Sequence, residues 1–367
     1  MSPQNETAQT EEDTAISEET HMENLQFEDP QTDDAPPPDP PQPPTPSKFS
    51  KQPLASRYVD MWAFPGAHPT NVELLQKLKM AEDRQFSANM DVTGSVSDQD
   101  NKDDAKKWEK THLVGIRADA WKASKKDLQA ALDSLQKKRK QAIRKSIKKS
   151  GRLSSEQKEL FDEEVLNDPT MNMTPQQIDA SRLVLKLFRS TGKRIRWLGT
   201  LEELTTREIH CSLGSRRPLV AYAVNLTDYE YMTIVQQNHR TFRWPSLFTC
   251  SYVSPKTGKV WYLELKRCWL SVGSDFVIES QGERVAYIDG QLIGFGLNAY
   301  VHIYEESLAE DRKFMDLLTL FASSIGFQKA IRRNIKRRLK NLRQKKTSHL
   351  IEDEEMWLLK NPRRRAS

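Results

Sequence analysis

Apolar residues across 314–327 fall on every side of a helix: Phe314, Met315, Leu317, Leu318, Leu320, Phe321, Ile325 and Phe327. A helix apolar all round must be surrounded by protein or lipid. Fourteen residues at 1.5 Å each span about 21 Å, short of the roughly 30 Å hydrocarbon core of a bilayer. With Asp316 in its middle, the segment predicts a buried core helix and not a membrane span. Beyond it the apolar set narrows to one stripe, Ile331, Ile335, Leu339 and Leu342, which carries the helix to about Lys345.

From Leu183 onward apolar residues alternate, and β-branched and aromatic residues gather between Gly, Asn and Pro. The pattern predicts strands at 183–189, 193–198, 207–213, 218–224, 230–236 and 246–253, then at 259–267, 274–279, 283–289, 291–296 and 299–304. Pro255, Lys256, Thr257 and Gly258 read as one turn, Gln281 and Gly282 as another. Short strands in series, closed by a helix too apolar for a surface, predict a mainly β fold. Its form is a closed or nearly closed antiparallel barrel around the C-terminal hydrophobic helix.

The chain before 183 reads differently. Asn71 caps a short helix with Val72, Leu74, Leu75 and Leu78 on one stripe, preceded by Tyr58, Met61, Trp62 and Phe64, which could pack on the main domain. Residues 87–105 read as a polar linker of solvated chain. An amphipathic helix is predicted from about Lys125 to Ser150, with Leu128, Leu132, Leu135, Ile143 and Ile147 on one face. The expected organisation is a disordered acidic and proline-rich arm (1–53), a short helix and linker (54–105), a basic helical region (106–182), the barrel with its helix (183–346) and a tail (347–367).

Charge sharpens this picture. Of 367 residues, 37% are hydrophobic and 29% charged, and the net charge of +5 hides an asymmetry. Residues 1–50 carry twelve Asp/Glu against Lys48 alone, so the remainder is far more basic than the total suggests. The cations concentrate in two tracts. Across 328–346 stand ten Lys/Arg and no acid, among them Lys329, Arg332, Arg333, Lys336, Arg337, Arg338, Lys340 and Arg343. Lys137, Lys138, Arg139, Lys140, Arg144 and Lys145 form a second patch on the predicted middle helix. Both tracts are candidate sites for an anionic partner, either lipid headgroups or nucleic acid. The acidic arm, or Glu352, Asp353, Glu354 and Glu355, could instead fold back on them. The prolines between Pro36 and Pro46 suit an extended spacer or a protein partner.

Motifs for covalent chemistry are weak. Cys211, Cys250 and Cys268 are odd in number and widely spaced, which fits reduced thiols in a cytosolic compartment better than a disulfide framework or a zinc site. Gly294-Phe295-Gly296-Leu297-Asn298-Ala299 matches a dinucleotide fingerprint in letters, but strand-like residues follow where a helix is needed. His210 and Cys211, adjacent on a predicted strand, would point to opposite faces. Tyr229, Tyr231, His239, Phe242 and Trp244 near Arg240 and Arg243 could stack nucleic-acid bases or simply pack beside a loop. No Walker loop or nucleophile elbow occurs. The expectation is a protein that is not an enzyme, with no catalytic residues, metal or other cofactor. It would be cytoplasmic, peripheral to the membrane at most.

A family resemblance enters over the last third. The order is a strand with Val285, Ala286, Tyr287 and Ile288, a strand from Tyr300 through Val301, His302 and Ile303 to Tyr304, then the apolar helix. It resembles the C-terminal part of the tubby-like barrel superfamily, particularly its LURP-one-related and phospholipid-scramblase-like branch. Phe276-Val277-Ile278-Glu279 followed by Gly282-Glu283-Arg284-Val285-Ala286-Tyr287-Ile288 is similar to a hairpin that recurs in that family. The resemblance spans about 183–340 and is strongest over 246–328. It implies a closed twelve-stranded barrel threaded by the helix, a binding or scaffold role without shared catalytic groups, and association with phosphoinositides or membranes. The chain lacks a cysteine cluster suited to palmitoylation and an evident calcium loop, so scrambling is not among those implications.

Overall fold

Twelve strands form a single antiparallel sheet that closes on itself. In chain order they are β1 Ala55–Trp62, β2 Met90–Gln99, β3 Trp108–Arg117, β4 Val184–Thr191, β5 Arg194–Glu203 and β6 Ala221–Leu226. The second half comprises β7 Thr233–Gln237, β8 Leu247–Val253, β9 Val260–Arg267, β10 Phe276–Ser280, β11 Glu283–Gln291 and β12 Gly296–Ile303. Each strand pairs with its sequence neighbours, and β1 pairs with β12 from Ala55↔Ile303 to Trp62↔Gly296, which completes the barrel. The computed structural model describes residues 52–62, 90–99, 108–149, 154–175, 181–191, 194–215, 217–239, 246–269, 274–291, 296–344 and 355. The chain divides into two compact units, 1–41 and 42–367, and every described residue belongs to the second.

Among the described residues, helices occupy three places in this order. Between β3 and β4 lie α1 Ala118–Trp121, α2 Lys125–Lys149, α3 Ser154–Asn167 and a 3-10 turn Pro169–Asn172. Helix α4, Thr205–Leu213, joins β5 to β6. After β12 come α5 Glu306–Ala309, α6 Arg312–Ser324, a 3-10 turn Ile325–Phe327 and α7 Gln328–Arg343.

The predicted core helix corresponds to α6, where every residue from Phe314 to Ser324 is buried. It contacts β1, β4, β5, β6 and β12, and its aromatic rings reach two further strands. Phe321 meets Phe248 of β8 at 5.2 Å and Phe276 of β10 at 5.3 Å, while Phe314 meets Tyr252 of β8 at 5.2 Å. Asp311 caps the helix by accepting from the Lys313 amide at 3.0 Å and holds the Tyr252 hydroxyl at 2.7 Å. Burying each of its large apolar side chains contributes about 1.5–3 kcal/mol, so α6 supplies a major share of the core.

The charged residue within this apolar helix is partnered. Arg57 of β1, also buried, donates to Asp316 at 2.7 Å, to Thr319 at 3.2 Å and to Asp98 of β2 at 2.7 Å. Burial pushes the Asp316 carboxyl up, against the pull of Arg57. Thr319 and Ser323 return their hydroxyls to the carbonyls four residues back, which lets polar side chains sit within the core.

Several expectations need correction. The barrel begins before 183: β1, β2 and β3 lie in stretches read as packing residues, solvated linker and helical region. Strand β2 pairs on both sides, with Thr93, Ser95 and Ser97 buried, so a polar sequence is core here and not linker. A Cβ on Gly94 would stand 2.5 Å from the Asp60 carbonyl oxygen, so this pairing needs glycine there. The predicted strand 207–213 is helix α4, whose buried stripe is Thr205, Glu208, Ile209 and Ser212. Two of those are polar and one is charged, which hides the helical period. The predicted strand 291–296 does not stand alone: its ends belong to β11 and β12, and 292–295 lie outside the described residues. The helix capped by Asn71 also lies outside them. Gln281 and Gly282 do form the two-residue turn of the β10–β11 hairpin, with φ of 53° and 86°. Positive φ at both positions is the turn whose twist matches that of the strands it joins.

Candidate anion-binding surface

Helix α7 sorts its cations by position. Ile331, Ile335 and Leu339 are buried, which turns one side of the helix inward. Lys329, Arg333, Lys336, Arg337, Lys340 and Arg343 are all exposed. At 100° per residue these six fall within an arc of about 120°, and they run about 21 Å along the axis. No apolar side chain interrupts that outward face, and no acid occurs anywhere in the helix.

Two of the eight predicted residues lie elsewhere. Arg338 is buried and belongs to the fold: Nη1 is 2.9 Å from Glu203 Oε1 and 3.6 Å from Glu208 Oε2, and Nη2 donates to the Ser181 carbonyl. Glu203 also takes the Leu183 amide at 2.8 Å, and Glu208 the Ala221 amide at 3.2 Å. Burial, and then the neighbouring Glu203, raise the Glu208 carboxyl well above the usual range. One guanidinium thus ties α7 to β5 and α4. Arg332 is half-buried between these surfaces, and its guanidinium donates to Gln328 Oε1 at 3.2 Å and Gln237 Oε1 at 3.5 Å.

The second predicted patch stands on α2, with Lys137, Lys138, Arg139, Lys140, Arg144 and Lys145 all exposed. Leu132, Ile143 and Ile147 form its buried side, and α2 packs on α3 and the Pro169–Asn172 turn. Part of the patch serves that packing. Arg139 pairs with Asp168 at 2.6 Å, and the Arg144 guanidinium lies 4.8 Å from the Phe161 ring centre.

The remaining sequence candidates take structural places. His210 and Cys211 stand on helix α4, not on a strand: His210 is exposed, and the Cys211 sulfur accepts from Gln236 at 3.3 Å. Tyr229 stacks on Tyr252 at 5.5 Å and takes the Val253 amide at 3.0 Å, while Arg240, Phe242, Arg243 and Trp244 lie outside the described residues. Cys250 is buried, its thiol pushed up to about 12 by burial. Of the acidic tail, Glu355 is described: it accepts from the Thr206 and Arg207 amides at 3.0 and 3.3 Å, so it caps α4. Among the described residues no group of His, Cys, Asp and Glu could hold a metal ion, and no helix is long and apolar enough to cross a membrane.

Sequence reasoning found the cationic face but not the residues beside it. Gln237 comes from a strand end, and no local spacing announces its hydrogen bond with Arg332 of α7. Compared with known proteins, the chain matches no family model, no curated protein and no solved structure.

Proposed function

We propose that this chain is a non-enzymatic binding module of the tubby-like type, acting in the cytoplasm. In this reading α6 threads the closed barrel as its plug, and α7 carries a cationic face to an anionic membrane surface, phosphoinositide headgroups included. The observation that supports it most directly is the single-sign outward face of α7, with Lys329, Arg333, Lys336, Arg337, Lys340 and Arg343 exposed together. Each Lys or Arg held near anionic lipid contributes about 1 kcal/mol, so six suffice for peripheral attachment. The contacts of α6 with strands on many sides of the barrel support the threaded arrangement.

One feature favours a second reading. The apolar side of α7 is turned into the protein, so the exposed face has nothing to insert among acyl chains. A purely electrostatic face suits the phosphates of RNA or DNA equally well. Co-sedimentation with phosphoinositide vesicles, repeated with excess RNA, separates the two. Retention on vesicles despite RNA supports the membrane reading. RNA binding without vesicle binding overturns it in favour of nucleic acid.

A further inference from the structure

Helix α4 takes its cap from a distant part of the chain. Its first turn leaves backbone amides without intrahelical partners, and Leu204 at the N-cap has no side-chain oxygen to offer them. Glu355 of the C-terminal tail supplies what is missing. One of its carboxylate oxygens accepts from the Thr206 amide at 3.0 Å and from the Thr205 hydroxyl at 3.3 Å. The other accepts from the Arg207 amide at 3.3 Å. With 4% of its surface exposed, Glu355 is a docked side chain and not a passing charge. The helix dipole favours a carboxylate at this end. The dock lies beside the second half of α7. Helices α4 and α7 pack on each other, and near the start of α4 the Arg338 guanidinium reaches Glu203 at 2.9 Å and Glu208 at 3.6 Å. Lys336, Lys340 and Arg343 flank Arg338 on the same helix, all exposed. Only eleven residues, 344–354, separate the end of α7 from Glu355, so docking is an intramolecular event at high effective concentration.

Glu355 is the last of four consecutive acids, after Glu352, Asp353 and Glu354. Three residues of chain reach at most about 11 Å, so anchoring Glu355 confines the other three charges to that distance from it. Tethered acids compete with any external anion for the cations beside them. We propose that Glu355 is a latch, which docks the C-terminal tail on α4 and so holds the cationic face of α7 back from its anionic partner. The restraint rests on the anion-binding reading of α7, whereas the docking does not. Tail and partner oppose each other reciprocally: release of Glu355 frees the face, and a strongly anionic surface displaces the tail.

The test uses the full chain, with phosphatidylcholine vesicles containing phosphatidylinositol bisphosphate as the probe. Glu355→Ala should speed hydrogen exchange at the Thr206 and Arg207 amides about tenfold, as loss of a cap implies. The same variant should bind the vesicles several-fold more tightly. Converting Glu352, Asp353 and Glu354 together to Gln should tighten binding likewise, while those two amides stay protected. Should Glu355→Ala fail to fold by circular dichroism, Glu355→Gln, which keeps the side chain's shape, takes its place and should shift both readouts in the same direction. Unchanged exchange in the variant overturns the docking. Faster exchange with unchanged vesicle affinity overturns the restraint and leaves the reading of α7 standing. If neither the parent nor any variant binds vesicles, the reading of α7 fails and the restraint falls with it.

Discussion

Arg338 and Lys340 stand two positions apart on one helix, yet one is an internal strut and the other a surface charge. Removing the strut leaves Glu203 and Glu208 buried without their cation, so Arg338→Ala should cost about 3–5 kcal/mol of stability, measured by urea unfolding. Glu208→Gln tests the opposite sign. Its carboxyl is raised in the folded protein, so it favours folding at low pH, and that contribution is lost as pH rises through the raised value. The Gln variant should therefore gain stability relative to the parent as pH climbs above the usual glutamate range, and a parallel pair of pH curves would refute this. Two histidines act at the acid side. His112, buried beside Thr111 and Asp98, is held down to about 3, and His302, bonded to Ser56, to about 4, in both cases first by burial. Each stays neutral in the fold while the unfolded chain takes up a proton below about pH 6.5. Stability should fall with decreasing pH from that point, by up to about 1.4 kcal/mol per pH unit for each histidine. Replacing His302 with Gln should flatten the curve measurably.

Among the elements, α7 is the one to which the proposed function gives separate tasks for the outer and inner faces. Converting Lys336, Lys340 and Arg343 together to Gln should leave the melting temperature within a degree or two. The same change should weaken attachment to anionic vesicles about 100-fold, since about 3 kcal/mol of charge contact is removed. Which elements the pattern of residues revealed follows from chemistry. Helix α6 was legible because no surface helix is apolar all round, and β8 to β11 because their apolar positions alternate between turn residues. Strand β2 was not, because its buried positions include Thr93, Ser95 and Ser97, and small polar residues read as linker. Helix α4 was not, because its inward stripe includes Glu208 and Ser212, whose burial depends on partners from α7, from β6 and from Leu219 just before β6. On α7 the cationic face was read from charge alone, which placed Arg338 among the surface groups. Its position, seven after Ile331 and three after Ile335, belongs to the inward stripe.

For the whole molecule, closure is the governing property. A closed sheet has no free edge, whereas a strand removed from it leaves two. A chain that starts at residue 63 lacks β1 and uncovers β2 and β12, along with Asp316, whose cation is Arg57. Such a chain should aggregate at concentrations where the full chain stays monomeric by light scattering. Monomeric, cooperatively folded material would contradict this.

The pairing of Ala55 with Ile303 bears on how the protein comes to be made. The ribosome releases the first wall of the cylinder long before the last, and helix α6, buried against several of its strands, emerges later still. Until translation has passed that point, the early strands have neither their far partner nor the helix that packs on them. The growing chain must carry sticky half-built sheet from β1 until β12 and α6 have emerged, and final assembly waits for them. Contacts so distant along the chain also make refolding slow, on the order of milliseconds to seconds. A cell that produces this protein in quantity should need a holding chaperone during that interval.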